Sequence, residues 1–214
     1  MKGWIFLIIL IAAAWYLVSN GIPGGEAGKI LAALKENGVE NAFVSVSDGS
    51  ATVRFEAPGV NENLLDYTYS VARTALAASD ANAVRAEAYV EGNPVVAVTV
   101  TRENEENPSV EDIRPVEKRV ESVVGLFDAI PLDVNVDEDA ARVRVQYYGS
   151  QDKFWHDFFG MAFGIIDAAP WVERIVVKYV GEENTTIAVD TNTVLSVYAG
   201  KIDAKEAAER IQIQ

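Results

Sequence analysis

The chain contains no cysteine. Disulfides, thiolate metal sites, a cysteine nucleophile and a lipidated N-terminal cysteine are all excluded by that absence. It has one histidine, His156, so no second imidazole exists to complete a zinc site. Cations are also scarce: 18 Lys and Arg stand against 32 Asp and Glu, for a formal net charge of −14. Such a balance argues against binding nucleic acid or anionic lipid through bulk charge. There is no Gly-rich phosphate loop, because "GIPGGEAGK" lacks the P-loop spacing and no strand precedes it. No nucleophile motif accompanies His156 to suggest a Ser-His-Asp triad. The acidic clusters Asp137-Glu138-Asp139 and Glu103 to Glu106 lack EF-hand spacing and read as a solvated turn and a linker. No catalytic, cofactor-binding or metal-binding residue is assigned.

What is present is a chain of 214 residues, half of them hydrophobic, long enough for one large or two small domains with real cores. It opens "MKGWIFLIILIAAAWYLVSN", apolar from Trp4 to Val18, with no charge between Lys2 and Glu26. About 20 apolar residues suffice to cross a bilayer, and Trp4, Trp15 and Tyr16 fall where interfacial aromatics are favoured. Residues 1–22 are therefore expected to form a membrane helix. Lys2 keeps the N-terminus cytoplasmic, and the body is extracytoplasmic. The competing expectations are a cleaved signal, which makes the protein secreted, and a pilin-like leader ahead of Trp4. Residues 23–28 form a Gly/Pro-rich linker.

The body repeats itself. "VSVSDGSATVRFEAPG" (Val44–Gly59) and "VNVDEDAARVRVQYYG" (Val134–Gly149) align without a gap at an offset of ninety residues. They share Val44/Val134, Val46/Val136, Ala51/Ala141, Val53/Val143, Arg54/Arg144 and Gly59/Gly149. Each stretch alternates apolar and polar residues around a turn, the pattern of a hairpin. Helical periodicity precedes and follows each, and a second Val-rich hairpin closes each unit. Ala72/Ala162 and Ala78/Ala168 extend the register. The fold class expected is α+β: two tandem αββαββ units at 29–101 and 116–190, each a four-stranded antiparallel sheet with helices on one face. The turn of the second hairpin in the first unit is placed at Gly92-Asn93-Pro94. An acidic, two-proline linker at 102–115 separates the units and is not expected to join a sheet. A helical tail at 191–214 docks through Tyr198, Ile202 and Ile211.

The αββα core with its Asp48-Gly49 turn resembles, in topology, the BON-type modules of bacterial envelope proteins. The resemblance covers part of each unit, since each adds a strand. It implies a role in attachment to membranes or envelope partners.

Three features stand out on the helix around "FWHDFFGMAFGIIDA". Phe154, Phe158, Met161 and Ile165 define its buried face, with His156 nearly opposite as a surface residue beside Asp152 and Asp157. Gly160, Gly164 and Ala168 form a stripe of small residues, matched by Ser70, Thr74 and Ala78. Small residues at this spacing let another backbone approach closely. The long helices are expected to bury a second face there, against another helix. Phe159 and Phe163 flank the stripe and mark either an inter-unit core or a partner surface. Asn184 begins an N-glycosylation sequon.

The function expected from this reading is a non-enzymatic binding or assembly module of the cell envelope, tethered to the membrane and recognising an envelope protein. The alternatives are a carboxylate-dependent envelope hydrolase and a pilin-like surface subunit. The sequence does not fix the oligomeric state.

Overall fold

A computed structural model describes residues 25–181 and 184–214. The chain divides into two compact units, the first ending at Arg114 and the second beginning at Pro115.

In the first unit, helix α1 (Glu26–Glu36) leads into strands β1 (Ala42–Ser47) and β2 (Ser50–Glu56). The turn between them is Asp48-Gly49, with φ of +49° and +72°. Glycine adopts that region freely, and both residues at positive φ give the turn whose twist matches a hairpin. Helix α2 (Leu64–Ala77) follows, then β3 (Ala83–Val90), β4 (Asn93–Thr101) and β5 (Ser109–Asp112). Here the turn residues are Glu91-Gly92, with φ of +53° and +75°. Asn93 and Pro94 already belong to β4, so the turn begins one residue earlier than expected.

The second unit runs α3 (Val116–Val124), β6 (Ala129–Val136), β7 (Ala140–Tyr147), α4 (Phe154–Ala168), β8 (Arg174–Tyr179) and β9 (Thr185–Asp190). Helices α5 (Thr191–Tyr198) and α6 (Ala204–Arg210) and a short β10 (Gln212–Ile213) complete it. Asp203 caps α6 by accepting a hydrogen bond from the Glu206 N–H at 2.9 Å.

The architecture is α+β in two sheet-rich halves, and the internal repeat fits it. Three expectations about it are corrected. First, each sheet has five strands, in the orders β1-β2-β3-β4-β5 and β10-β9-β8-β7-β6. In the first unit the acidic linker supplies the fifth strand, with Ser109–Asp112 pairing on β4. In the second, the tail returns through two helices and pairs β10 on β9. Second, the sheets are not wholly antiparallel, because β2 pairs parallel with β3 and β7 with β8. Each long helix carries the chain back along the sheet, so the next strand starts where the previous one started. That is the geometry of a βαβ crossover, and it makes the two strands parallel.

Third, the expected membrane helix and the single-pass localisation drawn from it are not upheld. The stretch on which they rested, residues 1–22, lies outside the described residues. Among the described residues no helix is long and apolar enough to cross a membrane. The longest, α4, has 15 residues. At about 1.5 Å per residue it measures roughly 22 Å, short of a hydrocarbon core of about 30 Å.

Each unit has its own core on one face of its sheet. In the first unit Ile30, Leu34, Val53, Phe55, Val71, Leu76, Val84 and Val98 are buried. In the second, Val120, Val124, Val143, Val145, Phe158, Met161, Ile165, Ile175, Val177 and Ile187 are buried. Alternate residues of β2 and β7 point inward, and their partners, Arg54 and Arg144 among them, point out.

Candidate ligand groove in the second unit

Helix α4 carries more aromatic surface than one face can hide. Phe158 packs inward with Met161 and Ile165. Trp155, Phe159 and Phe163 recur at four-residue spacing, so they lie above one another on the adjoining face. The Trp155 and Phe159 rings stand 6.5 Å apart. Phe163 stacks on Tyr198 at the end of α5, with ring centroids 4.0 Å apart and planes at 18°. Helices α5 and α6 thereby form a wall opposite α4. Between the walls lies a groove of about 600 Å³ lined by Trp155, His156, Phe159, Gly160, Val197, Tyr198, Ala208 and Ile211. Most of that lining is apolar, and His156 is its only titratable group besides the Tyr198 phenol.

The small stripe of α4 packs within its own unit. A Cβ added at Gly160 would strike the ring of Phe127, and one at Gly164 would strike Val123 Cγ1. The partner is α3 and the turn after it. In α2, by contrast, Ser70 is exposed and Thr74 half-exposed.

Next to His156 lies a polar group that sequence reading did not anticipate. The Asp157 side chain is buried, although the neighbouring His156 is exposed. Its Oδ2 accepts a hydrogen bond from the Tyr147 hydroxyl at 2.8 Å. Its Oδ1 lies 3.3 Å from His156 Nδ1. The His156 side chain itself is 85% exposed. Tyr147 is enclosed edge-on by Phe154 at 5.5 Å and Tyr179 at 6.0 Å. Burial, and then the neighbouring Asp157, push the Tyr147 phenol up to about 12. Burial also raises Tyr179, with Tyr147 and Asp157 adding to it. The Asp157 carboxylate thus accepts from the Tyr147 hydroxyl and stands beside the His156 imidazole.

Asp137, in the acidic turn, accepts from the Ala140 N–H at 3.0 Å and pairs with Arg142. It closes the β6–β7 hairpin. Among the described residues no group of three or more His, Cys, Asp or Glu side chains could hold a metal ion. Asn184 is exposed between β8 and β9.

One signal in the sequence pointed to the groove. At the repeat offset, Phe159 and Phe163 correspond to Tyr69 and Arg73. In the first unit those side chains are held by the acidic linker: the Tyr69 hydroxyl donates to Glu105 O at 2.6 Å, and Arg73 stands 4.0 Å from the Glu105 carboxylate. At that face the second unit carries two phenylalanines where the first carries Tyr69 and Arg73.

No family model matches the chain, and no curated protein matches it. The topological likeness to BON-type modules therefore carries no family assignment. Among solved structures, the chain is similar to the sex pheromone staph-cAM373 precursor at 11% identity, over 71% of each chain, with a TM-score of 0.27. It is also similar to the C-terminal domain of that precursor from Staphylococcus aureus at 9% identity, over 77% of this chain and 64% of that one, with a TM-score of 0.22. Scores at this level establish neither a shared fold nor a shared role. The expected membrane-anchored envelope module, with its membrane and envelope partners, finds no support in the described helices or in these comparisons.

Proposed function

We propose that the protein is a binding module whose second unit seats a small apolar ligand in the groove between α4 and the α5–α6 pair. The observation that carries this is the groove's volume and lining. About 600 Å³ lies within the range of small-molecule sites, roughly 300–1,000 Å³. Aromatic walls with one convergent polar group at the rim give an apolar body its binding energy and a polar head its orientation. The His156 imidazole is that group, with its Nδ1 3.3 Å from Asp157 Oδ1. Phe159 and Phe163 act here as the binding surface: Phe159 lines the groove, and Phe163 fixes Tyr198 in its wall.

The groove lining contains no carboxylate, which favours an apolar ligand there. Binding is tested by titrating the full chain with N-phenyl-1-naphthylamine, a neutral fluorescent probe, and with Ala208→Trp to fill the groove. Micromolar binding to the natural sequence, weakened at least tenfold in A208W, supports the reading. Equal binding by both proteins sinks it.

A further inference from the structure

The outward faces of the two sheets differ at one repeated position. Arg54 and Arg144 are equivalent, both on the exposed side of the second strand. In the first unit the residue beside Arg54 on the parallel neighbour is Glu87. Glu87 accepts from Arg54 at 2.9 Å and from Arg85 at 2.8 Å, and Arg85 reaches Glu111 on β5 at 2.7 Å. Cations and carboxylates alternate across that face and neutralise one another. In the second unit the residue beside Arg144 is Lys178. Two cations thus occupy adjacent positions in register, where like charges repel. Arg142 and Arg174 lie on the same face, giving four cations on two strands of a chain whose net charge is −14. Arg142 is paired with Asp137 and Arg174 hydrogen-bonds Gln212. Asp133 stands opposite Arg144 across the β6–β7 ladder and Thr186 beside Lys178. Neither Arg144 nor Lys178 forms an ion pair with any described residue.

We propose that this exposed face of β7 and β8 binds an acidic peptide segment of a partner protein. Carboxylates would take the place beside Arg144 and Lys178 that Glu87 holds in the first unit. Alternate residues of an extended peptide project to one side at about 6.7 Å, the same repeat as Arg142 and Arg144 along β7. Ile130 and Leu132, exposed on the adjoining edge strand, give apolar residues of such a segment a place to pack. A phosphate polymer has no use for those two side chains.

The experiment uses the full chain and a fluorescein-labelled synthetic peptide of alternating Glu and Val, followed by fluorescence polarisation at low and high salt. Binding at low salt that weakens with salt, and falls at least tenfold in Lys178→Glu, is the expected result. K178E restores the first unit's pairing, so it should fold at least as well as the natural sequence, with an unchanged circular dichroism spectrum and an equal or higher unfolding midpoint. The proposal is overturned if the peptide does not bind at low salt or binds K178E equally. Tighter binding to single-stranded DNA or to heparin than to the peptide overturns it too.

Discussion

The two units share a plan and place their bulk differently within it. At the repeat offset, Phe55 on β2 corresponds to Val145 on β7, and Thr68 on α2 to Phe158 on α4. All four are buried. The first unit puts the aromatic ring on the strand and the small residue on the helix; the second does the reverse. A second exchange lies beside it. Tyr67 on α2 and Ala57 after β2 correspond to Asp157 on α4 and Tyr147 on β7. In the first unit Tyr67 meets Phe55 edge-on at 5.6 Å. In the second, Tyr147 comes from the strand and binds a buried carboxylate on the helix. Interiors are close-packed, so a duplicated core drifts by moving volume from one layer to the other. The difference teaches that the duplication preserved total filling and the inward register, and left the identity of each contact free.

The largest effect that could break this comparison is a layer exchange in the first unit. Phe55→Val opens a cavity, at a cost of about 2–3 kcal/mol, and Thr68→Phe overfills the core at about 1–3 kcal/mol. If the volumes are complementary, the double variant should cost at least about 1 kcal/mol less than the sum of the singles in urea unfolding. Strict additivity would mean that the two layers do not compensate. The helix stripes offer a smaller test. Gly164→Ala must displace Val123 and should destabilise by about 1–3 kcal/mol. Thr74→Ala, at the equivalent half-exposed position, should stay within about 0.5 kcal/mol. Equal effects would show that α1 and α3 pack alike on their long helices.

The smallest effect separates the units by pH. Unfolded, Tyr147 loses its proton near pH 10; folded, it does so at about 12. The folded form therefore holds the proton more tightly. The associated stability is complete below pH 10 and is lost as pH rises toward 12. Ala57 occupies the equivalent place in the first unit. The thermal midpoint of the second unit should thus fall over that interval, and Tyr147→Phe should flatten the fall. A parallel decline in both proteins would assign the alkaline loss to other groups.

Much of this organisation could be read from the residues. The offset of "VSVSDGSATVRFEAPG" and "VNVDEDAARVRVQYYG" gave the duplication, and Asp48-Gly49 gave a hairpin turn of the right kind. Alternation placed Val53, Val143 and Val145 inward, and helical spacing placed Phe158, Met161 and Ile165 against the sheet. The groove was half legible. Phe159 stood out as an apolar residue off the main buried face, while its opposite wall, Val197, Tyr198, Ala208 and Ile211, comes from a tail whose path no local pattern states.

Local periodicity therefore determined which face of each element is buried, because a side chain's direction follows from the 3.6-residue and two-residue repeats alone. Tertiary structure decided what those patterns cannot carry. Strand direction depends on where a helix returns the chain, which made β2 and β3, and β7 and β8, parallel. The acidic linker joined a sheet because β4 offered an open edge of backbone hydrogen-bonding groups, and the tail did the same at β9. Asp157 is buried because Tyr147 arrives from a strand ten residues earlier to satisfy it. Arg144 and Lys178 became neighbours only through the register of two parallel strands, where the first unit sets Glu87 beside Arg54.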